Sequence, residues 1–446
     1  MTALTALTAA MVSSAGEAVR RIGHRRIRVA GWLLAALWAA VFPVVSVLGP
    51  HRVWGTCAAI GYAGAALASC LLPRPRARSW AVGCALAGAV VLPLLLLVAT
   101  GSGQSEVTVV ERSAELMLTR ATPYPADPRV VTDYNPYLPG MALLGLPRAL
   151  WGDGGIARVL GDARVWCAGV FLLCLWAGRR VLTGRGDGHT RASATSVAVL
   201  IASPVVALPL CVSGIDLPMT GLCCLGLALA ARRRPVAAGL VLAAACSLKW
   251  TAWPACAVAV ALLAATAGAR PARRCAAVTV AGTLTAVLPA ALLSPGPMVR
   301  HVLAFPTGRA PVATPAASPL PGRLLADLGP AGWYTAVGLL LCAGTAVAAS
   351  LVLRPPTGVV AAADRLALGL CAAFLLAPAG RFGYLALPLV LVVWPRAVTG
   401  YRRPHAVSRP AVPGRRPPVR RSAGYGADTA GAREVPGARA GRGCRT

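Results

Sequence analysis

The side chains able to do chemistry are few and fall in a handful of polar stretches. The segment SEVTVVERSAELMLTRATPY (105–124) brings Glu106, Glu111 and Tyr124, and DYNPYLPGMALLGLPRALWG (133–152) adds Asp133, Tyr134 and Tyr137. Further on stand Asp216 in SGIDLPMTGL (213–222), Lys249 beside Trp250 and Trp253, His301 in a Pro- and Ser-rich stretch, and Arg381 with Tyr384 in APAGRFGYLALP (377–388). A positioned carboxylate can take the proton of a hydroxyl as its oxygen attacks an electrophilic carbon. A guanidinium can grip two oxygens of a phosphate, and tyrosines can stack on or hydrogen-bond to a sugar. Each residue also has a plainer role open to it. Glu106 and Asp216 can favour helix N-termini, Arg381 can snorkel to the headgroup layer, Lys249 and its tryptophans can anchor an aromatic belt, and His301 can be incidental.

The elements that must position these groups are membrane helices. The chain has 446 residues, 57% hydrophobic and only 13% charged, against about 25% charged in a soluble domain. A water-soluble multidomain enzyme is excluded. Apolar runs lie at 29–48, 55–73, 79–100, 163–178, 192–212, 215–231, 235–248, 250–268, 275–294, 331–353, 359–377 and 382–399. At about 20 residues per crossing, they predict an all-α polytopic bundle of about twelve spans. Most of the 14 cysteines lie inside such runs and none forms a CxxC, so they read as small core residues and not as metal, redox or disulfide sites.

The net charge of +30 is nearly all arginine, Lys249 being the one lysine. With the N-terminus inside, about three-quarters of the 44 basic residues fall in inside segments and most of the 14 acids fall outside, as the positive-inside rule requires. This predicts a cytoplasmic segment 1–28, a membrane domain 29–399, and long outside loops at about 101–162 and 295–330. A disordered basic cytoplasmic tail, 400–446, would sit near anionic lipid. The tail lacks the pairing of aromatic and basic residues that single-strand nucleic-acid binding uses, so no nucleic-acid partner is expected. In the first loop Val107, Val110, Ala114, Met117, Leu118 and Ala121 share a helical stripe, predicting an amphipathic helix in the outer interface. The middles of most spans carry no ionisable group, so polar chemistry collects at the outer surface. That favours an enzyme acting there over a pump, with a polyprenyl-lipid flippase or other multi-span transporter as the alternative.

The order of these motifs resembles that of the GT-C glycosyltransferases, most closely the bacterial polyprenyl-phosphate-mannose-dependent mannosyltransferase family. The resemblance rests on an acidic residue after an early span (Glu106) and a small-Pro-Tyr element (Thr122, Pro123, Tyr124). A segment with Tyr134, Tyr137 and Pro139 that re-enters the membrane follows, and 213–222 and 377–388 match in order. The family usually places Asp at the catalytic position; here Glu106 stands there, with Glu111 as the alternative. The resemblance implies an inverting transfer of a hexose, mannose in that family, from a polyprenyl-phosphate donor. The acceptor would be a cell-envelope glycolipid or polysaccharide on the outer face of the plasma membrane. One carboxylate would serve as general base. Arg381 would bind the lipid phosphate, and Tyr384, Tyr124, Asp133, Tyr134, Tyr137, Asp216, Lys249 and His301 would complete the substrate site among membrane lipids. No cofactor and no metal is expected. The GxGxxG pattern is absent, which agrees with a donor delivered on a lipid.

The predicted orientation has a direct check. A single cysteine placed near residue 185 should react with an impermeant thiol reagent only after the membrane is permeabilised. One placed in the 295–330 loop should react without permeabilisation.

Overall fold

The structure, a computed structural model, describes residues 25–183 and 190–400. The expectations of a cytoplasmic N-terminal segment and of a disordered tail fall almost wholly outside these residues. The described chain is all-α, its β content a single isolated bridge between Ala317 and Gly380. The helices are α1 (Arg25–Val45), α2 (Gly49–Leu71), α3 (Arg76–Ala99), the loop helix α4 (Ser105–Arg120), α5 (Ala163–Thr183), α6 (Ser193–Ile201), α7 (Pro204–Val212), α8 (Leu217–Ala231), α9 (Pro235–Leu248), α10 (Trp250–Ala267), α11 (Ala269–Leu293), α12 (Pro330–Leu353), α13 (Val359–Leu376) and α14 (Phe382–Thr399). The chain is a multi-pass membrane bundle.

All twelve predicted apolar runs are helical, but not all are full crossings. Among the described residues nine helices are long and apolar enough to span a membrane, and α6 with α7 forms a pair bent by 57°. The run at 192–212 is therefore broken in the middle, where Pro204 opens the second half. Helices α8 and α9 have 15 and 14 residues. At 1.5 Å per residue they reach only about 22 Å, short of the roughly 30 Å hydrocarbon layer. They pack on each other around the turn at Arg232–Arg234, and α8 also packs on α5. Helix α8 is buried along nearly its whole length. Helix α9 keeps one exposed face, with Leu240 59% accessible, and packs the other against the bundle.

The first long loop is ordered. Helix α4 stops at Arg120, where Ala121 takes a left-handed conformation (φ 56°) and caps back to the Met117 carbonyl. Val107, Val109, Val110, Ser113 and Ala114 are buried, whereas Leu118 is exposed. The predicted apolar stripe is thus used in its first half only. Its cover is the stretch Pro139–Trp151, which dips inward as two short helices. Gly145 permits that approach, because a Cβ there would come 2.4 Å from the Val110 carbonyl oxygen. The Leu138 N–H donates to the Leu248 carbonyl at the end of α9 (2.9 Å). The second loop is also ordered, with a helical turn over residues 295–304 and a short helix at Pro321–Ala326.

One buried arginine fixes where the first loop leaves the bundle. Arg164 is 1% exposed and is paired with Asp162, 2% exposed, through Nη2–Oδ2 (2.7 Å) and Nε–Oδ1 (2.9 Å). Its Nη1 donates to the carbonyls of Ser102 (2.7 Å) and Cys211 (3.3 Å), and Nη2 to that of Leu97 (3.2 Å). Leu97 and Cys211 lie in the last turns of α3 and α7, where a cation is favourable, and the Leu97 carbonyl also accepts from the Ser102 N–H (2.8 Å). The Gln104 N–H then donates to the Val212 carbonyl (2.9 Å), and its side-chain amide to Nε2 of His51 on α2 (2.6 Å). Helix α4 begins at the next residue. Replacing Arg164 by Met should leave the buried Asp162 with only Arg148, 3.9 Å away, as a charge partner, a loss of up to about 3–5 kcal/mol. It should appear as a lowered thermal midpoint of the solubilised protein.

Candidate functional site

The helix break at Lys249 builds one wall of a cavity. The backbone there is extended (φ −157°, ψ 136°), between the end of α9 and the 3-10 turn Trp250–Ala252 that opens α10. Gly140 packs against this point, since a Cβ on it would come 2.3 Å from Ser247 Oγ. The Lys249 ammonium donates to Asp216 Oδ1 (2.8 Å). It lies 5.4 Å from the ring centroid of Tyr137 and 4.9 Å from that of Tyr384, within cation–π range. Asp216 occupies the residue before α8, yet its side chain makes no capping bond. Its carboxylate serves Lys249, so the expected helix-capping role of Asp216 is not what the structure shows. Nor is Lys249 an anchor at the surface, because it is largely buried and lines the cavity.

The same polar side carries a second ion pair. Glu106, in the first turn of α4, accepts a hydrogen bond from Nη1 of Arg381. One distant segment, residues 315–318, holds Arg381 in place. The Ser318 N–H donates to the Gly380 carbonyl (3.0 Å), the Gly380 N–H to that of Ala316 (2.9 Å), and Arg381 Nε to that of Pro315 (3.4 Å). The second long loop therefore straps the Arg381 turn across 66 residues of chain.

Both cations and Glu106 line a cavity of about 610 Å³, within the usual size of a ligand pocket. Glu106, Arg381, Lys249, Tyr137, Tyr384 and Tyr134 form its polar side. Leu340, Leu341, Gly344, Leu370, Ala373 and Phe374 form an apolar side on α12 and α13. Leu341, Gly344, Thr345 and Ala348 line the cavity while remaining exposed, so it is open along α12. Helix α12 is the least buried of the long helices.

Several expected site residues lie elsewhere. Both nitrogens of His301 are engaged: Nδ1 accepts from the Asn135 N–H (3.0 Å) and Nε2 donates to the Pro125 carbonyl (2.9 Å). This fixes a neutral tautomer, stacked on Tyr124 with ring centroids 5.6 Å apart. His301 pins the first long loop to the second and offers no free atom to a substrate. Burial lowers its pKa from 6.5. Tyr124 is buried with its hydroxyl donating to the Tyr137 carbonyl (3.0 Å), and burial raises its pKa. Asp133 accepts from the N–H groups of Arg129 (2.9 Å) and Val130 (3.1 Å), which hold its carboxyl below the usual range, and from Arg112 (2.5 Å). It is a loop staple. Glu111 accepts from the Ala163 N–H (3.0 Å) and pairs with Arg148 (3.3 Å). Burial raises its pKa against the pull of both partners. It does not line the cavity, whereas Glu106 does. Tyr134 lines it with its ring stacked on Phe305 at 4.4 Å. Among the described residues, no three His, Cys, Asp or Glu side chains are grouped to hold a metal ion.

Neither the Arg164 clamp nor the two ion pairs of the cavity, Lys249–Asp216 and Arg381–Glu106, is expected from the sequence. Asp162-Ala163-Arg164 at the mouth of an apolar run was the available signal for the first. No local signal joins Glu106 to Arg381.

The sequence model of glycosyltransferase family 87 matches residues 135–378, more than half of the chain. The chain belongs to glycosyltransferase family 87. It is a membrane glycosyltransferase. No match was found among curated proteins or among solved structures. The family range contains Tyr137, Asp216, Lys249 and His301, while Glu106, Arg381 and Tyr384 lie outside it and reach the same cavity through the fold.

The neutral state of His301 in this family 87 protein gives a pH prediction. Its folded pKa lies below the unfolded value of 6.5, so its contribution to stability is present above that value. It is lost as pH falls through the lower folded pKa. His301→Gln can keep one acceptor and one donor without titrating. The acid decline of the thermal midpoint below pH 6.5 should therefore be shallower in that variant than in the wild type.

Proposed function

We propose that the cavity binds a polyprenyl-phosphate sugar and that Glu106 is the general base for transfer of its hexose, with mannose the sugar suggested by the resemblance described above. The observation that carries the reading is the division of the cavity. A carboxylate and two cations sit at one end, and an apolar wall open along α12 forms the other. A lipid-linked phosphodiester has the same division: a charged phosphate beside a sugar, then a long apolar chain. Arg381 and Lys249 hold the phosphate, Tyr137 and Tyr384 flank the sugar, and the chain lies along α12 and α13.

In this reaction an acceptor hydroxyl oxygen attacks the anomeric carbon as Glu106 takes its proton. The bond from that carbon to the phosphate oxygen breaks, and its electron pair leaves with the lipid phosphate. Arg381 stabilises the charge there by charge-assisted hydrogen bonds. A single base and direct attack give inversion at carbon. The distribution of arginines supports an extracytoplasmic site in the plasma membrane, because Glu106, Lys249 and Arg381 all belong to segments on the acidic, outer side. The acceptor is then a cell-envelope glycolipid or polysaccharide. Glu111, turned to Arg148 and Ala163, is a weaker choice for the base.

Two substitutions test the reading in membranes supplied with radiolabelled polyprenyl-phosphate mannose. Glu106→Gln should lower turnover by about 10²- to 10⁴-fold, the usual cost of losing a general base, while the protein is still inserted. Arg381→Lys keeps the charge but cannot make the two-point grip, so the donor KM should rise. Near-normal turnover in Glu106→Gln would remove Glu106 from the role.

A further inference from the structure

The Arg381–Glu106 contact sets a conflict within the proposed function, on which this inference rests. The carboxylate assigned to take the acceptor's proton has one oxygen on the guanidinium assigned to hold the donor phosphate. Both side chains are largely buried on the polar side of one cavity. Of the five N–H donors on a guanidinium, Arg381 commits Nη1 to Glu106 and turns Nε toward the Pro315 carbonyl. A phosphate arriving at the exposed edge must compete with Glu106 for the same cation. The neighbouring cation, Lys249, is already engaged by Asp216 at 2.8 Å.

The two partners differ in freedom. Arg381 is fixed from behind by the strap, through Gly380 to Ala316 and Ser318. Glu106 stands in the first turn of α4, and its carboxylate is held there by the bond from Arg381 alone among the hydrogen bonds of the described residues. When a third group enters, the carboxylate is the partner that can swing away.

We infer that the Arg381–Glu106 ion pair is a latch that the donor opens: its phosphate displaces the carboxylate from the guanidinium and so frees the base only when a donor is in place. The exchange replaces one anion by another on a half-buried cation, so the guanidinium is never left unpaired, the state that is costly. The freed carboxylate then meets the acceptor hydroxyl. Without a donor, Oε1 of the carboxylate stays on the guanidinium, and the side chain is not free to turn toward a hydroxyl or a water. Binding is therefore ordered, with donor before acceptor.

The test uses the full-length protein in lipid nanodiscs and a polyprenyl monophosphate without sugar as the probe. Removing the competing charge should make the probe bind more tightly in Glu106→Gln, by about three- to tenfold, between what an exposed ion pair and a charged hydrogen bond contribute. In an Arg381→Ala background the same Glu106→Gln change should have no effect on the Kd. Glu106→Asp shortens the reach by one methylene and should give a smaller tightening, which keeps the test open if the Gln variant fails to fold. In the wild type the infrared carboxylate bands should shift on adding the probe, through a component absent from Glu106→Gln. An unchanged or weaker Kd in a folded Glu106→Gln, or a tightening that survives Arg381→Ala, would overturn the latch. Turnover separates the two ideas. Lost turnover with no tightening leaves Glu106 as base and removes the latch, whereas normal turnover removes the base assignment itself.

Discussion

The Arg164 guanidinium, shut away from water, is the interaction on which the placement of the site depends. In a membrane bundle each carbonyl freed at a helix end must find a partner inside the protein. Arg164 donates to the carbonyls of Ser102 in the loop and Cys211 at the end of α7 and adds a further donor to that of Leu97 at the end of α3, while Asp162 neutralises it. Three chain segments are thereby referred to one planar group of fixed geometry. Gln104, bonded to Val212 and His51, carries that reference two residues further, to Glu106. A carboxylate on a loop helix thus acquires the fixed position that a site on a rigid element would have.

The same electrostatic rule governs the cavity, with a different result. Charges withdrawn from water persist when an opposite charge accompanies them, and both cations there have one: Lys249 with Asp216, Arg381 with Glu106. The pairs differ in what each partner can do. Asp216 sits behind Lys249 and does not line the cavity, so that pair presents a cation to a ligand and keeps its counter-ion in reserve. Glu106 and Arg381 both line it, so either can be drawn away by a substrate group. One pair is a fixed electrostatic feature and the other is exchangeable.

How much of this could be read from the chain follows from how local each cause is. The helices were legible because burial in lipid demands long apolar runs, and all twelve appear. Their lengths were less legible. Nothing in the composition of 215–231 or 235–248 distinguishes a helix too short to cross from a crossing helix. The candidate base Glu106 was legible from its place after an apolar run, and Arg381 from its place before one. Their pairing was not, because it joins residues 275 positions apart through the strap at 314–320, whose Pro- and Ser-rich sequence reads only as loop. Asp133, Tyr124 and His301 look alike in sequence to residues that bind sugars. What separates them is that backbone groups already occupy their polar atoms, a fact that belongs to the fold. Glu111 was the hardest to distinguish from Glu106. They lie five residues apart on one helix, not quite a turn and a half, so they project in different directions, one toward Arg148 and one toward the cavity.

Lys249 shows how an exception in composition carries information. Among 44 basic residues it is the one lysine, in a chain that otherwise meets every need for positive charge with arginine. The structure supplies a physical reason. The ammonium lies between the rings of Tyr137 and Tyr384 while touching Asp216, and a compact point charge with three rotatable donors can satisfy those directions together. A planar guanidinium in the same gap would have to align with one ring or with the carboxylate. The extended backbone at residue 249 aims the side chain into that gap, so the break between α9 and α10 and the choice of lysine answer one requirement. The interruption that makes this pair of apolar runs look irregular in the sequence is what brings a cation to the site.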